Sequence, residues 1–273
     1  MYNSSMSNQE ITTYVCMGLF VVVFVYLIVF CTKSTQRKST KRFRKKIISA
    51  ISVLFLLAGM IWNNNFRHIP VNENAYFKIE DIEAYQDSPY VEVNNNIPFF
   101  TQEELSAGEH ESYSPLDYLG RCGPAIAMIG IDLMPTEKRG SISMVKPTGW
   151  HLAKYDFVDG KYLYNRCHLI AYELAGENAN VENLITGTRY MNVVGMQKFE
   201  DRTAAYILKT GNHVLYRSTP IFEGDNLVAT GVLLEARSIE DDGEGICFNV
   251  FCYNVQPGVE IDYRTGDHHI VNK

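Results

Sequence analysis

The sequence predicts an α+β domain built on an antiparallel sheet, preceded by two N-terminal transmembrane helices. Two long apolar runs near the N-terminus flank a strongly basic loop. After residue 210 the chain alternates apolar and polar residues in short runs separated by Gly, Asp, Asn or Pro, which is the pattern of strands and turns. Between these regions, residues 155–209 read as strand, tight turn, strand, loop and helix. Strand runs and helices segregated in this way indicate an α+β arrangement.

Residues 1–10 form a short polar tail. Residues 11–32 hold an apolar run rich in Val, Phe, Ile and Leu that begins at Ile11 and ends at Cys31. At about 1.5 Å per residue it spans roughly 31 Å, enough for a bilayer core. A cleaved signal would carry positive charge ahead of the run. Here only Glu10 precedes it, and Lys33, Arg37 and Lys38 follow. Residues 33–46 hold eight Lys/Arg and no acid. Residues 47–62 are a second apolar run, broken only by Ser49, Ser52 and Gly59. It is slightly short for a span, but Lys45 and Lys46 can snorkel and Trp62 suits the interface. The positive-inside rule then puts the basic loop in the cytoplasm and the large domain outside. The alternative is that residues 47–62 lie on the surface or re-enter, leaving that domain inside. Residues 63–96 are polar and acidic and read as a juxtamembrane linker, with the soluble domain over 97–273.

With 46% hydrophobic residues, 17 Tyr and 14 Phe, the chain can pack a substantial core. Its formal charge of -6 is unevenly spread. Residues 63–137 hold three bases and thirteen acids, and residues 218–273 hold three bases and ten acids. Residues 138–217 hold eleven bases and seven acids, net +4, which suits a polyanionic partner. Strands are expected over residues 126–132, 211–222, 227–236, 246–255 and 259–263. A hairpin is expected at Asp159-Gly160, between residues 154–158 and 161–165, and a helix over 191–209.

Six cysteines are present. Cys247 and Cys252 are five apart in an expected strand, so they face opposite ways and should not pair with each other. No CxxC or HxxxH spacing marks a zinc site. Buried free thiols are favoured for Cys122, Cys167, Cys247 and Cys252, and disulfides remain open.

The chemistry-bearing stretch is Asn165-Arg166-Cys167-His168, followed by Asn192 and Glu200 on the expected helix. On its own, a histidine at a strand end is most often structural, and an asparagine near a helix start is most often a cap. Phosphodiester hydrolysis, however, needs a base near neutral pH and charge neutralisation at the phosphate, and an imidazole beside a metal-binding amide supplies both. Asn165-Arg166-Cys167-His168 resembles the Asp-Arg-Gly-His motif of the DNA/RNA non-specific endonucleases, which have the ββα-metal (His-Me finger) fold. Similar segments run across the domain: Gly120-Arg121-Cys122-Gly123, residues 134–140 and 146–151, Glu182-Asn183-Leu184-Ile185-Thr186, Thr188-Arg189-Tyr190-Met191-Asn192, and residues 248–263. The resemblance covers roughly residues 97–265. It extends to the membrane-bound nucleases of Gram-positive bacteria that serve DNA uptake.

The resemblance implies a Mg²⁺-dependent endonuclease, with Mn²⁺ as an alternative ion, cutting DNA and also RNA without sequence preference. It implies His168 as general base, Asn192 as metal ligand and Glu200 holding the metal's water ligands. Arg166 and Arg139 would contact phosphate, joined by Arg189 and Arg202. It also implies a place in the cell membrane beside a bilayer and DNA-uptake machinery. Two departures stand out: Asn165 replaces the motif's Asp, and Cys167 replaces its Gly. They motivate a rival reading, a catalytically weak or inactive DNA-binding receptor of the same fold. A structural membrane protein whose outer domain binds other proteins is a third.

Overall fold

The computed structural model describes residues 77–108 and 110–271. The two expected spans, the basic loop and the start of the expected linker lie outside the described residues. Among the described residues no helix is long and apolar enough to cross a membrane.

The core is a six-stranded antiparallel sheet in the order β1-β8-β7-β6-β3-β2. Its strands are β1 (Tyr90–Glu92), β2 (Glu111–Tyr113), β3 (Ala125–Ile129), β6 (Val214–Ile221), β7 (Gly231–Ser238) and β8 (Cys247–Tyr253). The alternating runs after residue 210 therefore do form strands, with ends shifted by up to four residues: β7 starts four residues later than expected and runs two further. Every residue of β7 is buried, so both faces of the sheet are covered. On one face Val232, Leu234 and Ala236 join Phe248 and Val250 in the main core. On the other, Leu233 packs with Phe251 and Tyr253. Consecutive side chains along a strand point to opposite faces, so one strand can serve both layers.

The second face corrects the linker reading. Residues 77–96 are not a free tether: Tyr90–Glu92 pairs with β8 in the register Tyr90↔Cys252 to Glu92↔Val250. Phe77, Ile79, Ile82 and Tyr85 pack onto Phe251 and Tyr253. The segment carries Glu80, Asp81 and Glu83, and those charges hid an apolar face that only the sheet reveals. A helical turn, α1 (Gln102–Ser106), follows it, started by a capping box between Thr101 and Glu104.

The first face carries a separate unit made of β4 (Tyr164–His168), α2 (Tyr172–Ala175), β5 (Leu184–Thr188) and α3 (Gln197–Thr210). β4 and β5 pair antiparallel from Tyr164↔Thr188 to His168↔Leu184. The expected hairpin at Asp159-Gly160 is different: only Lys154 and Tyr162 bridge across it. Gly160 and Lys161 both have positive φ, at 66° and 67°, and the chain is held in successive turns before β4 begins. The two strands of the ββα unit are thus joined by residues 169–183, not by that turn.

Two buried asparagines fasten this unit. Asn183 accepts from the Ile170 N–H at 2.8 Å and donates to the Ile170 carbonyl at 3.0 Å. Asn254, just past β8, accepts from the Thr188 N–H at 2.8 Å and donates to the carbonyls of Thr186 and Ala229. It ties β5 to the large sheet. A small ribbon closes the domain, with β9 (Val259–Ile261) pairing β10 (His268–Ile270). His268 and His269 lie in that ribbon. Cys122, Cys167 and Cys252 are buried, Cys247 is half-buried, and all four are free thiols.

Candidate active site

β4 ends on His168, which is only 6% exposed. Its Nε2 lies 2.9 Å from the Asn178 carbonyl oxygen. A carbonyl can only accept, so Nε2 carries the proton and Nδ1 keeps its lone pair. Arg139 places a guanidinium nitrogen 3.3 Å from Nδ1, on the other side of the ring. Burial pushes the imidazole down from 6.5 to about 4; the Asn178 carbonyl opposes this and the Arg139 charge adds to it. His168 is therefore a neutral imidazole over the whole neutral range, with an unprotonated nitrogen that can act as a base once Arg139 leaves it.

Asn192 and Glu200 come from the segment after β5. In a regular α-helix an eight-residue spacing leaves two side chains about 80° apart. Here residues Met191–Met196 form a π-helical turn, and the Gln197 N–H bonds the Asn192 carbonyl five residues back. One extra residue in the turn makes the pair behave like a seven-residue spacing, within about 20° of two full turns. Both side chains line the same cavity of about 310 Å³, together with His168, Glu173 and Arg139. Glu200 is buried, and burial first, then Glu173 and Asp201, pushes its carboxyl up to about 8. Glu173 is itself raised, by burial and then by Asp201.

Cys167 points away from His168, as adjacent strand residues must. Its thiol donates to Asn192 Oδ1 at 2.9 Å and lies 3.5 Å from Met196 Sδ. Burial holds this thiol well above its usual range, so it stays protonated and remains a donor. Room for it comes from Gly187 on β5, where an added Cβ would meet Cys167 Cβ at 2.7 Å and Met191 Cε at 2.8 Å.

The arginines divide. Arg139 is exposed and faces the imidazole. Arg166 bonds the carbonyls of Val145 and Ser143 and stacks on Trp150 with 4.1 Å to the ring centroid, so it braces the loop before β4. Arg189 pairs with Asp159 at 2.8 Å and lines the cavity. Arg202 does not join them: its guanidinium bonds the Gly245 carbonyl at 3.3 Å, and it lines neither this cavity nor the groove beside it. Its place on α3 turns it toward the loop between β7 and β8.

The model of the DNA/RNA non-specific endonuclease family matches residues 101–240, just over half of the chain. The chain belongs to the DNA/RNA non-specific endonuclease family. Solved structures agree. NucA from Streptococcus agalactiae with magnesium ion bound shares 27% identity at a TM-score of 0.59, over 69% of this chain and 89% of that one. NucA with no metal bound aligns over 71% and 92% at the same identity. The Sda1 nuclease with bound zinc ion shares 29% identity at a TM-score of 0.50, over 60% and 81%. As a DNA/RNA non-specific endonuclease the protein is a nucleic-acid hydrolase, and its substrate is nucleic acid.

Sequence reasoning missed Asn178, Glu173 and Cys167 as parts of this candidate site. Asn178 acts through its backbone, which no side-chain pattern reveals. Glu173 lies on a helix of one turn, too short to show periodicity. Cys167 was visible only as a departure from a motif.

Proposed function

We propose that this protein is a divalent-metal-dependent endonuclease that cuts DNA, and RNA as well, without sequence preference, with His168 as general base. The observation that carries the reading is the convergence of a neutral, tautomer-fixed His168 with Asn192 and Glu200 on one cavity wall.

The residues present fit a hard divalent ion. The available donors are an amide oxygen, on Asn192, and the carboxylates of Glu200 and Glu173, all oxygen. Glu173 and Asp201, both exposed, repel the buried Glu200 carboxylate, and the Arg139 charge lowers both Glu200 and Glu173. A cation at this wall relieves that repulsion. Among the described residues no set of three His, Cys, Asp or Glu side chains is placed to form a closed metal cage. That matches an ion such as Mg²⁺, or Mn²⁺ in its place, which keeps several waters. Asn192 and Glu200 would hold it.

When bound, such an ion supplies charge neutralisation at the phosphate and at the leaving oxygen. His168 Nδ1 takes the proton from the attacking water. The Asn178 carbonyl holds the ring through Nε2–H and favours the imidazolium that results. Arg139, which is exposed, moves from Nδ1 onto a phosphate oxygen, which frees the base and anchors the substrate. Cys167 steadies the Asn192 carboxamide, and Arg166 keeps the preceding loop in place. Neither Asn165 nor Cys167 bonds the His168 ring, so the two departures from the family motif leave the base intact.

We further propose that residues 11–32 and 47–62 anchor the protein in the cell membrane with the nuclease domain outside. Support comes from their apolar length and the eight Lys/Arg of the loop between them. Protease treatment of intact cells checks this, since full protection of the domain excludes an outside location. The first test of activity is plasmid nicking by the purified full chain in detergent with Mg²⁺, beside EDTA and His168→Ala. Cutting that both controls abolish supports the reading. DNA binding with no cutting under any divalent ion overturns it.

A further inference from the structure

A groove of about 580 Å³ runs beside the catalytic cavity and shares Arg139, Arg166, Arg189 and Asn192 with it. Its size is within the range of about 300–1,000 Å³ typical of small-molecule sites. Its remaining wall is of a different kind, made largely of Trp150, Leu152, Tyr162, Tyr164 and Asn165. We propose that this groove is a nucleobase subsite, which takes an unpaired base next to the cleaved phosphate and gives the enzyme a preference for single-stranded nucleic acid. The inference rests on the nuclease reading above and deepens it.

Separate observations support it. First, large apolar side chains stand in water at the wall: Leu152 is 75% exposed and Tyr162 43% exposed. Second, the aromatic rings are paired with cations. The Arg166 guanidinium lies over Trp150, and the Lys154 ammonium lies 4.6 Å from the Tyr162 centroid. Aromatic rings with a cation held over one face are of the kind that stack with nucleobases. Third, the Asn165 Nδ2 is buried and meets no acceptor among the described residues. A buried donor left unmade is costly, and this one borders the groove.

One ligand satisfies all of these. A nucleobase brings a π-face for the aromatic wall and an acceptor edge for the Asn165 amide, while its phosphate meets the shared arginines. Phosphate alone would use the arginines and give nothing to Tyr162 and Leu152. A base inside a duplex is stacked and paired, and it must leave the helix to enter. Every base offers a face and an acceptor, so the subsite favours unpaired strands without reading sequence.

The test measures cleavage by the full chain in detergent on short labelled strands of equal length: an ordinary single strand, a fully abasic strand and a duplex. Each is run with wild type, Tyr162→Ala and Tyr162→Phe. Loss of a stacking partner should raise KM on the ordinary strand about tenfold for Tyr162→Ala, with kcat unchanged and Tyr162→Phe restoring it. Wild type should show a similar rise on the abasic strand, where Tyr162→Ala adds nothing further. The idea is overturned if wild type cuts the abasic strand as well as the ordinary one, or if Tyr162→Ala is equally impaired on both. Should the wild type cut no substrate, the nuclease mechanism fails separately. The same strands then decide the subsite by fluorescence anisotropy in EDTA, where equal affinity for ordinary and abasic strands, or no binding to either, overturns it.

Discussion

The six-stranded sheet and the ββα unit on its face are held together by different physics. The sheet is fixed by apolar side chains on both sides of β7 and β8, and its register follows from alternation alone. The ββα unit buries Ile170, Leu174, Ile185 and Met196 in the same core, but the exact placement of its short strands rests on polar fastening: Asn183 across its loop, Asn254 into the sheet, Asn178 onto the His168 ring. Apolar burial is non-directional and tolerates drift, whereas hydrogen bonds set angles and distances. A protein that must place an imidazole and an amide on one cavity wall gains more from the second kind. Stability should therefore reside mainly in the sheet, and activity in the polar staples.

This division can be broken or sharpened by measurement. The largest expected effect lies in the sheet. Phe251→Ala, on the face away from the site, should lose about 3–5 kcal/mol of stability while kcat/KM well below the melting temperature stays unchanged; denaturant unfolding beside a nicking assay checks both. Next, His168→Ala should lower cleavage by about 10²–10⁴-fold with little change in melting temperature. Inserting one alanine after Val194, an exposed residue of the π-turn, should rotate the preceding turn by about 100° and carry Asn192 away from Glu200. A loss of about 10²-fold or more, with a near-native circular dichroism spectrum, is expected. Retained activity would show that this phasing does not matter.

The smallest effect concerns pH. The Glu200 carboxyl, at about 8 in the folded chain, lies above its unfolded value of 4.5. A raised folded pKa adds stability that is fully present below 4.5 and lost as pH rises through about 8. In EDTA the melting temperature should fall over that window, and Mg²⁺ should reduce the fall by neutralising the carboxylate. Ion binding near pH 7 should also release a proton, seen as a buffer-dependent heat in calorimetry. An unchanged heat across buffers would remove Glu200 from the ion site.

Much of the sheet was legible in the sequence because period-two alternation survives without tertiary context. Residues 77–96 were not, because their acids are interspersed among their apolar residues with no clear period and the face they cover exists only after β8 is in place. His168, Asn192 and Glu200 could be picked out through the resemblance of a whole series of segments, since each residue type alone has a commoner structural use. Their convergence could not, because it depends on one inserted residue in the helix and on a backbone carbonyl. Arg166 shows the same limit: its position in the motif suggested phosphate, and nothing in the sequence marked its bonds to Ser143 and Val145, which brace the loop as well.

The Asn178 carbonyl that fixes the imidazole tautomer bears on how this enzyme can change over evolutionary time. Every residue type at position 178 presents the same oxygen, so point substitutions there leave the base's orientation nearly untouched. Insertions or deletions between Gly176 and Asn180 move the oxygen itself. The loop should thus accept variation in spelling but not in length, and a length change there would be the simplest route by which a descendant of this nuclease loses its chemistry while keeping its fold.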